Sequence, residues 1–166
     1  MTVGKSVNRK DAVAKVTGLA RYTDDFYRPG TLVARYVRST IAHGRVTRIE
    51  TENARKLPGV VAIFTYEDVP RNKFATAGHP YTADPEHQDI CDRLLLTDHV
   101  RYWGDEIAVI VAENTLAVRE ALKLIEVEYE SYEPLLSSEA ALAQGAPQIH
   151  PGSDNTIGES QYTTGR

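Results

Sequence analysis

Cysteine is almost absent. The single Cys91 in 166 residues cannot close an internal disulfide, which excludes a small secreted scaffold held by bridges. No apolar run approaches the ~18 residues needed to cross a bilayer. The opening stretch MTVGKSVNRKDAVAKV has no apolar core of the kind a signal peptide carries, so the expected location is cytoplasmic. Positive charge is also short: 19 Lys and Arg stand against 23 Asp and Glu, and the net charge of -4 argues against a broad nucleic-acid surface. No strand-like segment runs into a glycine-rich phosphate loop. The means to fold is present, with 42% hydrophobic and 25% charged residues, ordinary globular values. A chain of this length buries about 70% of its unfolded surface, and one core is the default.

The stretch that reads most clearly is Val100 to Tyr132, a strand, a helix and a strand. Ile107 to Ala112 is unbroken and apolar, as in a strand covered on both faces. Asn114 or Thr115 supplies a capping oxygen for a helix start. Val118, Ala121, Leu122 and Ile125 then form one apolar stripe, with Arg119, Glu120 and Lys123 opposite. Ile125, Val127 and Tyr129 alternate with Glu126, Glu128 and Glu130, the period of a strand with one wet face. If the two strands share a sheet and run parallel, their crossover is right-handed.

Residues 1–16 are polar and basic and read as an extended arm. After Gly18, Ala20 to Asp24 suggests a short strand running into a turn at Tyr27-Arg28-Pro29-Gly30. Leu32 to Val37 reads as a largely internal strand from which Arg35 must reach out, and Arg45 to Thr51 as another strand. Thr51 can cap a short helix, Glu52 to Leu57, ended by Pro58-Gly59. Val60 to Phe64 is a second continuous apolar strand. Thr51 to Pro70 and Thr115 to Pro134 have equal length, a hint of duplication that the side chains between do not carry. From Arg71 to Asp98 periodicity disappears, over a length that marks functional loops. A short helix follows at Ser138 to Ala143, stopped by Gly145, and 146–166 reads as a linker.

Four groups of residues invite a chemical reading. His79, Asp84, His87, Asp89, Cys91 and Asp92 are all metal-ligand types, but their spacing matches no standard zinc pattern, and a solvated acidic loop is favoured. Cys91 with His87 or His99 as base would be a nucleophile in the wrong setting, since neighbouring acids disfavour thiolate. Arg35, Arg38, Arg45 and Arg48 with His43 could grip phosphate; they alternate in direction and lack interleaved aromatics, so solvated faces or salt bridges are favoured. Glu126, Glu128 and Glu130 share a strand face that reads as a wet surface rather than an acid–base pair.

Four blocks in order carry a resemblance: DAVAKVTGLARYTDDF (11–26), STIAHGRVTRIET (39–51), LPGVVAIFTYEDVP (57–70) and VRYWGDEIAVIVAEN (100–114). Across about residues 4–150 the chain resembles the N-terminal domain of the large molybdenum-binding subunit in the xanthine dehydrogenase and aldehyde oxidase family. AGHPYTADPEHQDICDRLLLTDHVRYWGDE (77–106) is similar to the bacterial xanthine dehydrogenase branch, although Gly104-Asp105-Glu106 stands where many relatives have Gly-Gln-Pro. The resemblance implies a hammerhead-type α/β (α+β mixed) domain over 1–145, a mixed sheet with strand-helix-strand units, and a linker toward a catalytic portion. It implies for the whole enzyme hydroxylation of a purine or aldehyde carbon with oxygen from water. Electrons would pass from molybdenum–molybdopterin to 2Fe-2S clusters and FAD.

The family's glutamate base and its pterin and substrate contacts lie downstream, so no catalytic, cofactor-binding or metal residue is assigned here. The expected partners are the remainder of the molybdenum-binding subunit and the iron–sulfur and FAD subunits or domains. No nucleic acid or membrane is expected, and the separate chain is expected to self-associate through exposed apolar surface. The favoured reading is a non-catalytic domain of an oxidoreductase cut at a domain boundary; the alternative is a stand-alone binding or assembly module of the same fold.

Overall fold

A computed structural model describes residues 3–75, 91–152 and 154–156. It divides into two compact units, residues 1–32 and 33–166.

In the first unit the expected extended arm ends in a helix, α1 (Ala12–Val16). Asp11 stabilises that turn by pairing with Lys15 at 2.6 Å, one helical turn on, and with Arg9 at 2.7 Å. The strand expected over Ala20 to Asp24 is instead a 3-10 turn, Thr23–Phe26. The Asp25 carboxylate accepts the Tyr22 N–H at 2.8 Å, and this local bond competes with extended pairing. The turn at Pro29-Gly30 forms as expected, with Thr31 N–H donating to the Arg28 carbonyl at 3.0 Å and Gly30 at φ 83°. None of the described residues of this unit is buried.

The second unit contains β1 (Val33–Arg38), β2 (Gly44–Glu50), α2 (Glu52–Arg55), β3 (Val60–Thr65), β4 (His99–Val100), β5 (Glu106–Ala112), α3 (Thr115–Lys123), β6 (Glu126–Ser131) and α4 (Ser138–Leu142). The α/β composition and the strand-helix-strand units are as expected, but the single mixed sheet is not. There are two three-stranded sheets, β1-β5-β3 and β4-β2-β6, and every pairing within them is antiparallel. β5 and β6 belong to different sheets, so the conditional parallel crossover does not arise. Each strand-helix-strand unit passes from one sheet to the other.

β5 is central and α3 covers one of its faces. Ala108, Ile110 and Ala112 point to the helix and are fully buried together with Val118 and Ala121. Ile107 is buried as well because it is the extra residue of a bulge, between the pairs Val37–Ala108 and Arg38–Glu106. Ile63, Ile107, Ile110, Val100 and Val118 are the largest fully buried side chains, each contributing about 1.5–3 kcal/mol. Asn114 caps α3, its Oδ1 accepting the Ala117 N–H at 2.9 Å, worth about 1 kcal/mol.

Two strands are wetter than their sequences suggest. β1 was expected to be largely internal, yet only Val37 is buried and Tyr36 is 43% exposed. β3 leaves Val61 and Phe64 exposed. Both are edge strands, each with one neighbour, and an apolar run does not report which faces receive cover. Thr51 does not cap α2 with its side chain. Its Oγ1 accepts Arg55 Nε at 3.0 Å, while Arg55 Nη2 donates to the Ile63 carbonyl at 2.8 Å, tying α2 to β3. The chain then turns at Gly59, φ 83°, as expected.

β1 is joined to the β4–β5 turn by Ser39, whose Oγ accepts from the Gly104 and Asp105 amides at 3.1 and 3.0 Å. Trp103, on that turn, is 69% exposed.

Candidate functional site

A cluster of charged side chains in the second unit lies where β2 meets β4. Arg45 pairs across from His99 in the ladder and reaches Asp98 at 3.3 Å. Arg71 meets the other oxygen of Asp98 at 2.7 Å. Asp98 is buried, which favours its neutral form. The hydrogen bond from Arg71, the backbone, and the Arg71 and Arg45 charges outweigh this and hold its carboxyl below the usual range. These residues, with Lys73, Arg101 and Tyr132, line an open cavity of about 400 Å³.

In the cavity wall His99 stacks on His43 at 6.0 Å between ring centroids, and Tyr132 meets both edge-on. Buried His43 donates from Nδ1 to the Glu133 carbonyl at 3.0 Å. Arg101 donates to the carbonyls of His99 and Ile149, at 3.3 and 3.0 Å. Burial, then the charges of Arg101 and His43, hold the His99 imidazole below its ordinary value. The cavity therefore offers cations around one carboxylate, a surface suited to attracting anions.

A second cluster forms at the β4–β5 turn. Glu106 accepts from Arg38 at 2.8 Å, Arg93 at 2.7 Å and the Tyr102 hydroxyl at 2.9 Å. Arg93 also donates to Tyr102 Oη. Asp105 is buried, accepts the Arg101 amide at 3.1 Å, and is pushed up by burial. Asp105 thus closes the turn, and Glu106 is the hub of the ion pairs.

Of the residues considered as metal ligands, His79, Asp84, His87 and Asp89 lie outside the described residues. Asp92 faces His150 at 3.7 Å, and Cys91 is exposed. Among the described residues no three His, Cys, Asp or Glu side chains gather as a ligand set. His99, the candidate base, lines the cavity above, whereas Cys91 does not. The arginines are not brought together for phosphate. Arg35 and Arg38 stand on β1 in one sheet, and Arg45 and Arg48 on β2 in the other. Three of them are committed to salt bridges, Arg48 to Glu50 and Glu128. Glu126, Glu128 and Glu130 are exposed on one face of β6, as expected of a wet surface. The sequence reading missed Asp98, Arg71 and Arg101, which nothing local distinguishes, since Asp98 meets Arg45 from 53 positions away.

The fold defines the class of protein. Residues 17–133 match the family model described as "Aldehyde oxidase and xanthine dehydrogenase, a/b hammerhead domain", and the chain belongs to that family. Among individual relatives, the xanthine dehydrogenase molybdenum-binding subunit of Escherichia coli O157:H7 is 51% identical over 157 residues, which are 95% of this chain and 21% of that protein. Among solved structures, the aldehyde oxidoreductase from Desulfovibrio gigas superposes with a TM-score of 0.73 at 34% identity, over 89% of this chain and 16% of that one. The enzyme of the same name from Desulfovibrio desulfuricans ATCC 27774 gives 0.76 at 30% identity, over 92% and 17%. The chain spans about a fifth of the length of the E. coli relative.

In the two open cavities that share Asp98, both Arg45 and Arg71 are already paired with that carboxylate, which leaves neither guanidinium free for a molybdenum–pterin group.

Proposed function

We propose that this chain serves as the non-catalytic N-terminal domain of a xanthine dehydrogenase-like molybdenum hydroxylase, packing against the catalytic portion of the molybdenum-binding subunit in the cytoplasm. The observation that carries this reading is 51% identity over nearly the whole chain to a relative about five times as long. In the complete enzyme, molybdenum–molybdopterin would supply hydroxylation of a purine or aldehyde, with electrons leaving through partners bearing 2Fe-2S and FAD. The role of these residues is to fold and to present surface. No catalytic, cofactor-binding or metal residue is assigned among them, and residues 146–166 lead toward the catalytic portion.

The test is metal analysis and xanthine oxidation by the purified 166-residue chain, beside an E. coli subunit whose 157 matched residues are replaced by this chain. The expected result is activity and molybdenum in the chimera and neither in the separate chain. Stoichiometric molybdenum in the separate chain overturns the proposal.

A further inference from the structure

The sheet β1-β5-β3 has two faces, and among the described residues α3 covers one of them. Cross-strand partners in an antiparallel ladder point to the same side. On the side away from Ala108, Ile110 and Ala112, β5 presents Val109 and Val111. Val109 is flanked by Tyr36 on β1 and Phe64 on β3, and Val111 by Ala34 and Ala62. The two valines and Ala62 are half-buried, Ala34 is exposed, and Tyr36 and Phe64 are 43% and 42% exposed. The face therefore steps down from two aromatic walls to a shallow floor, three strands wide, with no ionised side chain in its middle. Its rim cation, Arg38, is already satisfied by Glu106 at 2.8 Å and by the Gly104 carbonyl at 2.8 Å.

We infer that this open sheet face is the docking surface for the catalytic remainder of the molybdenum-binding subunit, which seats apolar side chains between Tyr36 and Phe64. The inference rests on the proposed function and names the surface it uses. Three observations select that occupant. The rim charge is internally neutralised, so the partner must bring apolar surface rather than acid. The opposite face is already occupied by α3. The same fold recurs over 92% of this chain as 17% of the D. desulfuricans enzyme, a molecule with ample further polypeptide to cover such a face.

The test is solvent labelling of cysteines with a maleimide in a Cys91→Ser background. Phe64→Cys reports the open face, and Leu116→Cys, on the outer side of α3 and 68% exposed, reports the opposite side. Each is placed in the 166-residue chain and in the chimera with the E. coli subunit. The expected result is that Phe64→Cys reacts about tenfold more slowly in the chimera than in the separate chain, while Leu116→Cys is unchanged. Protection of Leu116→Cys alone overturns the inference and leaves the proposed function intact, because packing then uses the helix side. Equal labelling of both sites in an active chimera also overturns it. Protection of Phe64→Cys that grows with concentration in the separate chain and is lost in the chimera assigns the face to a second copy and sinks the stated occupant. Where the chimera does not accumulate, the same two cysteines are placed at the aligned positions of the E. coli subunit, and the same outcomes decide.

Discussion

His99 and Asp98 are neighbours with opposite tendencies and one consequence for pH. His99 sits against Arg101 and His43, so the folded state binds its proton less readily than the unfolded chain. Its folded pKa lies below the ordinary 6.5, so its contribution is fully present above that value and is lost as pH falls through the folded pKa. Asp98 has its pKa lowered from 3.8, so its contribution is present above 3.8 and lost at more acid pH. Stability should therefore decline in two separate acid windows. Urea unfolding followed by circular dichroism should show a midpoint falling below pH 6.5, and His99→Gln should lessen that first decline while leaving the second, the remainder coming from His150, which burial also holds below its ordinary value. A midpoint constant from pH 7 to 5 in the parent chain would contradict the placement of His99. The identity of His99 as a titrating residue was legible in the sequence. Its neighbours were not, because the stack with His43 depends on the pairing of β2 with β4.

At the scale of elements, Gly44 decides whether the second sheet can close. A Cβ there would stand 2.3 Å from the Glu130 carbonyl oxygen and 2.6 Å from Ile41 Cδ1. The first obstacle is backbone and cannot swing away. Gly44→Ala should cost about 3 kcal/mol, lowering the urea midpoint without changing the spectrum of the α3 helix. What the sequence revealed best was β5, α3 and β6, where a capping Asn114 and two clean periodicities agree. Fourteen residues from Ile107 to Glu120 show why: propensity, pattern and cap all point the same way. The sequence was least informative for β1 and β3. Their apolar runs describe what a strand could bury, and only the sheet order shows that each has a single neighbour.

For the whole molecule, the two units differ in how they are held. Every member of the buried cluster lies between Val37 and Ala121, whereas the described part of 1–32 contains no buried residue. A chain beginning at Val33 should keep cooperative unfolding, with a midpoint within about 5 °C of the parent, because an unburied segment contributes little transfer free energy. Loss of cooperativity on that truncation would show that the first unit supports the core. Assignment of strands to two sheets was not readable from the chain, since period-two patterning marks a strand but names no partner. The four-block resemblance supplied the domain family, but not the division into two antiparallel sheets.

Trp103, the chain's only indole, stands in water on the β4–β5 turn. Its emission should therefore resemble that of the free fluorophore in buffer and shift little on denaturation, making it a poor reporter of melting. The same position suits it to report encounters, since any macromolecule closing over that turn would move the spectrum toward the blue against a quiet background.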